Sequence, residues 1–110
     1  MSRRTEKVAA LLHEEVGDYL KQLELAALTT ISKVEVTPDL KWCKVWITVM
    51  GDADKQKQVL AEIQTNLFDL QGSLNRKLTM RYVPRIKFML DHGQEYAAKI
   101  NELLRKAHEQ

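Results

Sequence analysis

A chain of 110 residues has room for one hydrophobic core, and with 45% hydrophobic and 29% charged residues it reads as an ordinary folded domain rather than a disordered segment. Its longest unbroken apolar run, Val8 to Leu12, is far short of the ~20 residues that a membrane-spanning helix needs, so no membrane partner is expected. The net charge of +2 is too small to announce a nucleic-acid binder by itself, but it is unevenly spread: no carboxylate lies between Asp69 and Asp91, while Arg76, Lys77, Arg81, Arg85 and Lys87 all do, giving +5 there against −3 elsewhere.

From Arg4 to about Leu23, Val8, Leu11, Leu12, Val16, Tyr19, Leu20 and Leu23 recur at steps of three and four, the period of an amphipathic helix. Gly17 inside that pattern points to close packing or a mild bend. After Glu24–Leu28 the period changes to two. Val34 and Val36 alternate with Lys33, Glu35 and Thr37, and over Lys41–Met50 one face carries Cys43, Val45, Ile47 and Val49 while the other carries Trp42, Lys44, Trp46, Thr48 and Met50.

These two strands are expected to pair as a hairpin. Pro38 fixes its φ near −65°, which the two-residue hairpin turns do not tolerate at their first central position, so a loop of about four residues, Pro38 to Lys41, is favoured. The register then sets Glu35 opposite Lys44, Thr37 opposite Trp42, Val34 opposite Val45 and Val36 opposite Cys43.

Gly51 closes the second strand and Asp52 or Asp54 can cap the next helix. Val59, Leu60, Ile63, Leu67, Leu70, Leu74 and Leu78 carry the helical period to about Lys77, with Gly72 as the expected weak point of a long helix. Pro84 marks the start of a third strand, Arg85 to Leu90, with Ile86, Phe88 and Leu90 inward and Arg85 and Lys87 outward. Tyr96, Ile100, Leu103 and Leu104 repeat the helical spacing near the end, so residues 1–91 read as one domain and 92–110 as a helical extension that can fray.

Chemistry is harder to find. His13, His92 and His108 have no carboxylate or thiol at metal-ligand spacing, and Cys43 falls on a buried strand face where packing is its ordinary role. There is no nucleophile elbow and no phosphate-binding glycine loop. No enzyme activity, cofactor, metal or small-molecule substrate is expected. A lone cysteine excludes an internal disulfide and fits a reducing compartment. Arg3 and Arg4 imitate the start of a signal peptide, but Glu6 and Lys7 stand where an apolar stretch should begin, so the expected location is the cytoplasm. Trp42 and Trp46 flank Lys44 in a way that could stack bases around a phosphate contact; the competing reading packs them within the fold.

The order helix, strand, strand, helix, an optional further helix, strand is that of an α+β, type II KH-like domain, a three-stranded sheet with helices on one face. The residues at this point resemble the ribosome-binding factor A family. Val34-Glu35-Val36-Thr37-Pro38-Asp39-Leu40, Lys44-Val45, Gly51-Asp52, Arg81-Tyr82-Val83-Pro84, then Phe88, Leu90-Asp91 and Tyr96, follow that family's pattern in order, as does the basic start Arg3-Arg4 with Val8. The resemblance implies a non-enzymatic factor that binds the free small ribosomal subunit and its ribosomal RNA late in maturation, and a monomer is the default for a domain of this kind. Like that family, the chain lacks the Gly-x-x-Gly loop by which ordinary KH domains clamp a nucleic-acid backbone. The RNA contacts expected are therefore basic side chains: Arg3, Arg4, Lys44, Arg76, Lys77, Arg81, Arg85 and Lys87.

Two departures stand out. The family's Ala-x-Gly helix kink aligns with Asn66-Leu67-Phe68, where neither outer residue matches, leaving a break there, a break at Gly72 or an unbroken helix. The family's charged Asp-Pro segment is replaced by Leu25-Ala26-Ala27-Leu28. Two other readings remain: a generic KH-like RNA-binding module, and a protein-interaction domain that uses the Trp42/Trp46 face.

Overall fold

A computed structural model describes residues 3–91. The elements run α1 (Arg3–Gln22), β1 (Thr29–Val36), β2 (Trp42–Val49), α2 (Ala53–Thr65), α3 (Leu67–Lys77) and β3 (Arg85–Leu90). The strands form one sheet in the order β1-β2-β3, with β2 antiparallel to β1 and parallel to β3. A parallel pair cannot be closed by a tight turn, and here α2 and α3 supply the crossover. The result is the expected α+β fold, with helices on one face of a mixed three-stranded sheet. The expected terminal helix lies outside the described residues.

Burial follows the periodicities. Leu12, Val16 and Leu20 of α1, Val59 and Ile63 of α2, and Leu70 and Leu74 of α3 meet Cys43, Val45, Ile47 and Val49 of β2 in one core that Val36, Ile86 and Phe88 complete. Each such aliphatic or aromatic side chain contributes about 1.5–3 kcal/mol when fully buried. The opposite face of β2 has Trp42 and Thr48 exposed and Lys44 and Trp46 half-buried.

The hairpin has the expected register: Glu35 pairs with Lys44, Val34 with Val45 and Val36 with Cys43. The Thr37 amide donates to the Trp42 carbonyl at 2.9 Å, and the Leu40 amide donates back to the Thr37 carbonyl at 2.8 Å. Leu40 takes φ 61°, a left-handed value that a bulky residue adopts at a cost. Asp39 holds this turn, its Oδ1 accepting from the Thr37 hydroxyl at 2.5 Å and the Lys41 amide at 3.1 Å. β1 also begins earlier than alternation alone indicates. Ser32 is an extra residue between Ile31, opposite Ile47, and Lys33, opposite Trp46, and this bulge lets Ile31 and Val34 lie half-buried though three apart.

The expected weak point at Gly72 is corrected. Gly72 lies inside an intact α3, and the helical stretch divides at Asn66. Asn66 Nδ2 donates to the Glu62 carbonyl at 2.9 Å, a local bond of the kind that lets asparagine compete with helix continuation. From α1, the Tyr19 hydroxyl donates to Asp69 Oδ2 at 2.6 Å and reaches the Asn66 carbonyl at 3.5 Å. Asp52 caps α2, accepting the Lys55 amide at 2.8 Å.

Candidate nucleic-acid interface

Three segments far apart in sequence converge at one end of α1. Arg4, Lys7, Val8 and Leu11 share one face of its first turns, being three, four and seven residues apart. The β1–β2 turn brings Asp39, Leu40, Lys41 and Trp42, and the segment before β3 brings Met80, Arg81, Tyr82, Val83 and Arg85. Together they line a cleft of about 1130 Å³.

The last segment is fixed from several directions. Pro84 is fully buried, the Arg85 amide donates to the Lys41 carbonyl at 2.9 Å, and Gln71 of α3 donates through Nε2 to the Pro84 carbonyl at 3.1 Å. Arg81 and Tyr82 project from this anchored base, the guanidinium 5.6 Å from the centre of the phenol ring.

Among the described residues, the cleft gathers the exposed cations Arg4, Lys7, Lys41, Arg81 and Arg85 around a single carboxylate, Asp39. The Thr37 hydroxyl, first, and the Lys41 amide hold the Asp39 carboxyl below the usual range, so it is ionised but bound within its own turn. Between the cations lies apolar ground: Leu11 is 38% exposed, Trp42 43% and Tyr82 75%.

The side chains expected to meet RNA are thus divided. Arg4, Arg81 and Arg85 share the cleft, and Arg3 is exposed at the start of the same helix. Lys44 and Lys87 are opposite each other on the open sheet face, where Lys44 also faces Glu35 across the β1–β2 pair. Lys33 lies over the Trp46 ring at 5.0 Å and pairs with Glu35 at 3.4 Å. Arg76 and Lys77 line a different hollow with Glu15, Tyr19 and Asp69, and Lys77 approaches Glu15 at 3.9 Å. Glu15 is about 16 Å along α1 from Arg4, at ~1.5 Å per residue.

Sequence reading missed Lys7, Lys41 and Tyr82 as partners of this cleft. Lys7 was detectable as the residue three beyond Arg4 on one helical face. Lys41 and Tyr82 become neighbours of each other through pairing of Trp42 with Arg85, and of Arg4 through the packing of α1 on the sheet.

Other chemistry is sparse among the described residues. No group of three or more His, Cys, Asp or Glu side chains there could hold a metal ion. Cys43 is fully buried, and burial pushes its thiol up to about 12. No described helix is long and apolar enough to cross a membrane.

Comparison with known proteins gives a consistent picture. The family model described as Ribosome-binding factor A matches residues 4–104. Ribosome-binding factor A of Prochlorococcus marinus is 36% identical over 110 residues, covering 96% of this chain and 85% of the relative. The crystal structure of ribosome-binding factor A from Thermus thermophilus superposes with a TM-score of 0.68 at 20% identity, over 78% of this chain and 93% of that one. A homology model of the Thermus thermophilus factor, fitted into the cryo-EM map of a 30S–RbfA complex, gives 0.64 at 21% identity, over 77% and 92% of the two chains.

Proposed function

The chain belongs to the ribosome-binding factor A family of ribosome-associated assembly factors, and from that premise we propose that it binds the free small ribosomal subunit through phosphates of its ribosomal RNA. It does so late in the subunit's maturation, as a cytoplasmic monomer, without catalysing a reaction. The observation that carries this reading is the cleft at the start of α1, where, among the described residues, cations from three segments surround one carboxylate already engaged by its own turn.

Phosphate contacts of this kind fix position and orientation without reading sequence, so specificity comes from the shape of a folded RNA site. Arg4, Arg81 and Arg85 form the centre of the contact, with Lys7 and Lys41 beside them. Arg3, Lys44 and Lys87 extend it around the chain start and onto the open sheet face. Arg76 and Lys77 contribute less, because Glu15 and Asp69 share their hollow.

Charge reversal tests this. Combined Arg4→Glu, Arg81→Glu and Arg85→Glu substitution should abolish co-sedimentation with free small subunits while the circular dichroism spectrum stays unchanged. Arg76→Glu with Lys77→Glu should weaken it only modestly. Retention of the triple variant at the parental level would overturn the reading.

A further inference from the structure

We infer that the cleft takes an unpaired stretch of RNA, with a base stacked on Tyr82 and the backbone held by Arg4, Arg81 and Arg85, rather than the flank of a duplex. This rests on the phosphate-binding reading above and specifies which form of RNA the site accepts.

The composition of the cleft is the reason. A surface that meets only the outside of a duplex needs cations and polar donors, because the base faces there are stacked away. This cleft instead combines cations with apolar ground: Leu11, Trp42 and Tyr82 all line it and are all exposed. A single-stranded nucleic acid offers a charge and a flat π-face in every residue, which matches alternating cationic and aromatic groups. Tyr82 is 75% exposed and carries the Arg81 guanidinium near its ring, leaving the remaining ring surface to a base while the cation lies within reach of the adjoining phosphate. The volume of about 1130 Å³ lies above the roughly 300–1,000 Å³ of small-molecule pockets, enough for more than one nucleotide.

The location is also separate from the α2–α3 junction. Tyr19, which contacts that junction, is about 22 Å along α1 from Arg4 at ~1.5 Å per residue. The cleft and the α2–α3 junction are therefore different places on the molecule.

The test uses the full chain carrying Trp46→Phe, which leaves Trp42 as the sole indole. Decauridylate, a hairpin duplex of equal phosphate number, free uridine monophosphate and a decaglutamate peptide are each titrated at fixed salt, following Trp42 fluorescence. Anisotropy of the labelled oligonucleotides with the unsubstituted chain provides a readout independent of that substitution. Decauridylate should quench Trp42 and bind about tenfold more tightly than the duplex. Tyr82→Ala should lower its affinity by roughly 5- to 150-fold, the range that base–aromatic stacking supplies, and Tyr82→Phe should restore it. Equal affinity for duplex and single strand with Tyr82→Ala silent would overturn the inference, as would equal binding of the free nucleotide or the acidic peptide. If the Arg4, Arg81 and Arg85 reversal still abolishes subunit binding in that case, the phosphate reading survives; if it does not, both fall.

Discussion

The side-chain amide of Gln71 completes the free edge of β3 by accepting the Ile86 N–H through Oε1 at 3.0 Å, while its Nε2 donates to the Pro84 carbonyl at 3.1 Å. Because the Arg85 N–H is turned toward Lys41, the residue before β2, the Pro84 carbonyl and the Ile86 N–H face away from the sheet, where no fourth strand among the described residues pairs with them. A helix residue thus does the work of a neighbouring strand at the point where the chain leaves the cleft. Gln71→Ala should cost about 1–2 kcal/mol in urea denaturation, since it strands a donor and an acceptor that are partly buried. It should also weaken RNA binding, because the lip bearing Arg81 and Tyr82 loses its tether. A stability change within error would contradict this account.

Two glycines should respond in opposite senses to alanine. At Gly72, inside α3, an added Cβ would meet only the far end of the Arg76 side chain, 3.3 Å away, which can move. Gly72→Ala should therefore stabilise the fold by about 0.5–1 kcal/mol through helix propensity. At Gly51 the backbone has φ +120° and a Cβ would lie 3.0 Å from Lys55 Cγ, so Gly51→Ala should destabilise by about 1–2 kcal/mol. Thermal unfolding of the pair measures both signs.

Alkaline pH should expose Tyr19. Burial first, and then the hydrogen bond to Asp69, raise its hydroxyl from 10.0 to about 12. The native state thus keeps a proton that the unfolded chain releases, so this contribution is full below pH ~10 and is lost as pH rises through ~12. Cys43, raised from 9.0 to about 12 by burial, acts in the same direction from a lower starting point. Stability should fall from about pH 9 upward, and Tyr19→Phe should flatten the part of the fall above pH ~10. An unchanged pH profile for Tyr19→Phe would refute the assignment.

Salt dependence should rank the cations. Each lost phosphate contact with a single strand lowers the slope of log affinity against log salt by ~0.7. Arg81→Gln and Arg85→Gln should each show about that change. Lys77→Gln should show less, because its ammonium already lies 3.9 Å from Glu15.

Much of the sheet was legible because its determinants are local. Pro38 limited the turn, and strict alternation over Trp42–Val49 then left one register with both faces consistent, the one observed. Pro84 likewise marked the start of β3. The helix break was legible only as one of three options, the position Asn66-Leu67-Phe68 where the family's kink aligns; Asn66 itself carries no strong breaking signal, and part of what holds it comes from Tyr19, remote in the chain. Gly72 is the residue with the poor propensity, yet α3 runs through it. The bulge at Ser32 was hidden for a similar reason, since it depends on Trp46, whose carbonyl accepts from the Ser32 hydroxyl at 3.3 Å. For the cleft, the acid-free segment drew attention to Arg81 and Arg85 but grouped them with Arg76 and Lys77, their neighbours along the chain. In space their neighbours are Arg4, Lys7 and Lys41.

The parallel pairing of β2 with β3 bears on how this chain is made. During synthesis β1 can zip onto β2 once Val49 has emerged, but the carbonyls of Lys41 and Ile47 wait for the amides of Arg85 and Asp91. Until then a nascent copy holds Arg4, Lys7 and Lys41 without Arg81, Tyr82 and Arg85 beside them. Completion of the sheet and completion of the cleft are one event, so a truncated or half-made chain lacks the finished cleft.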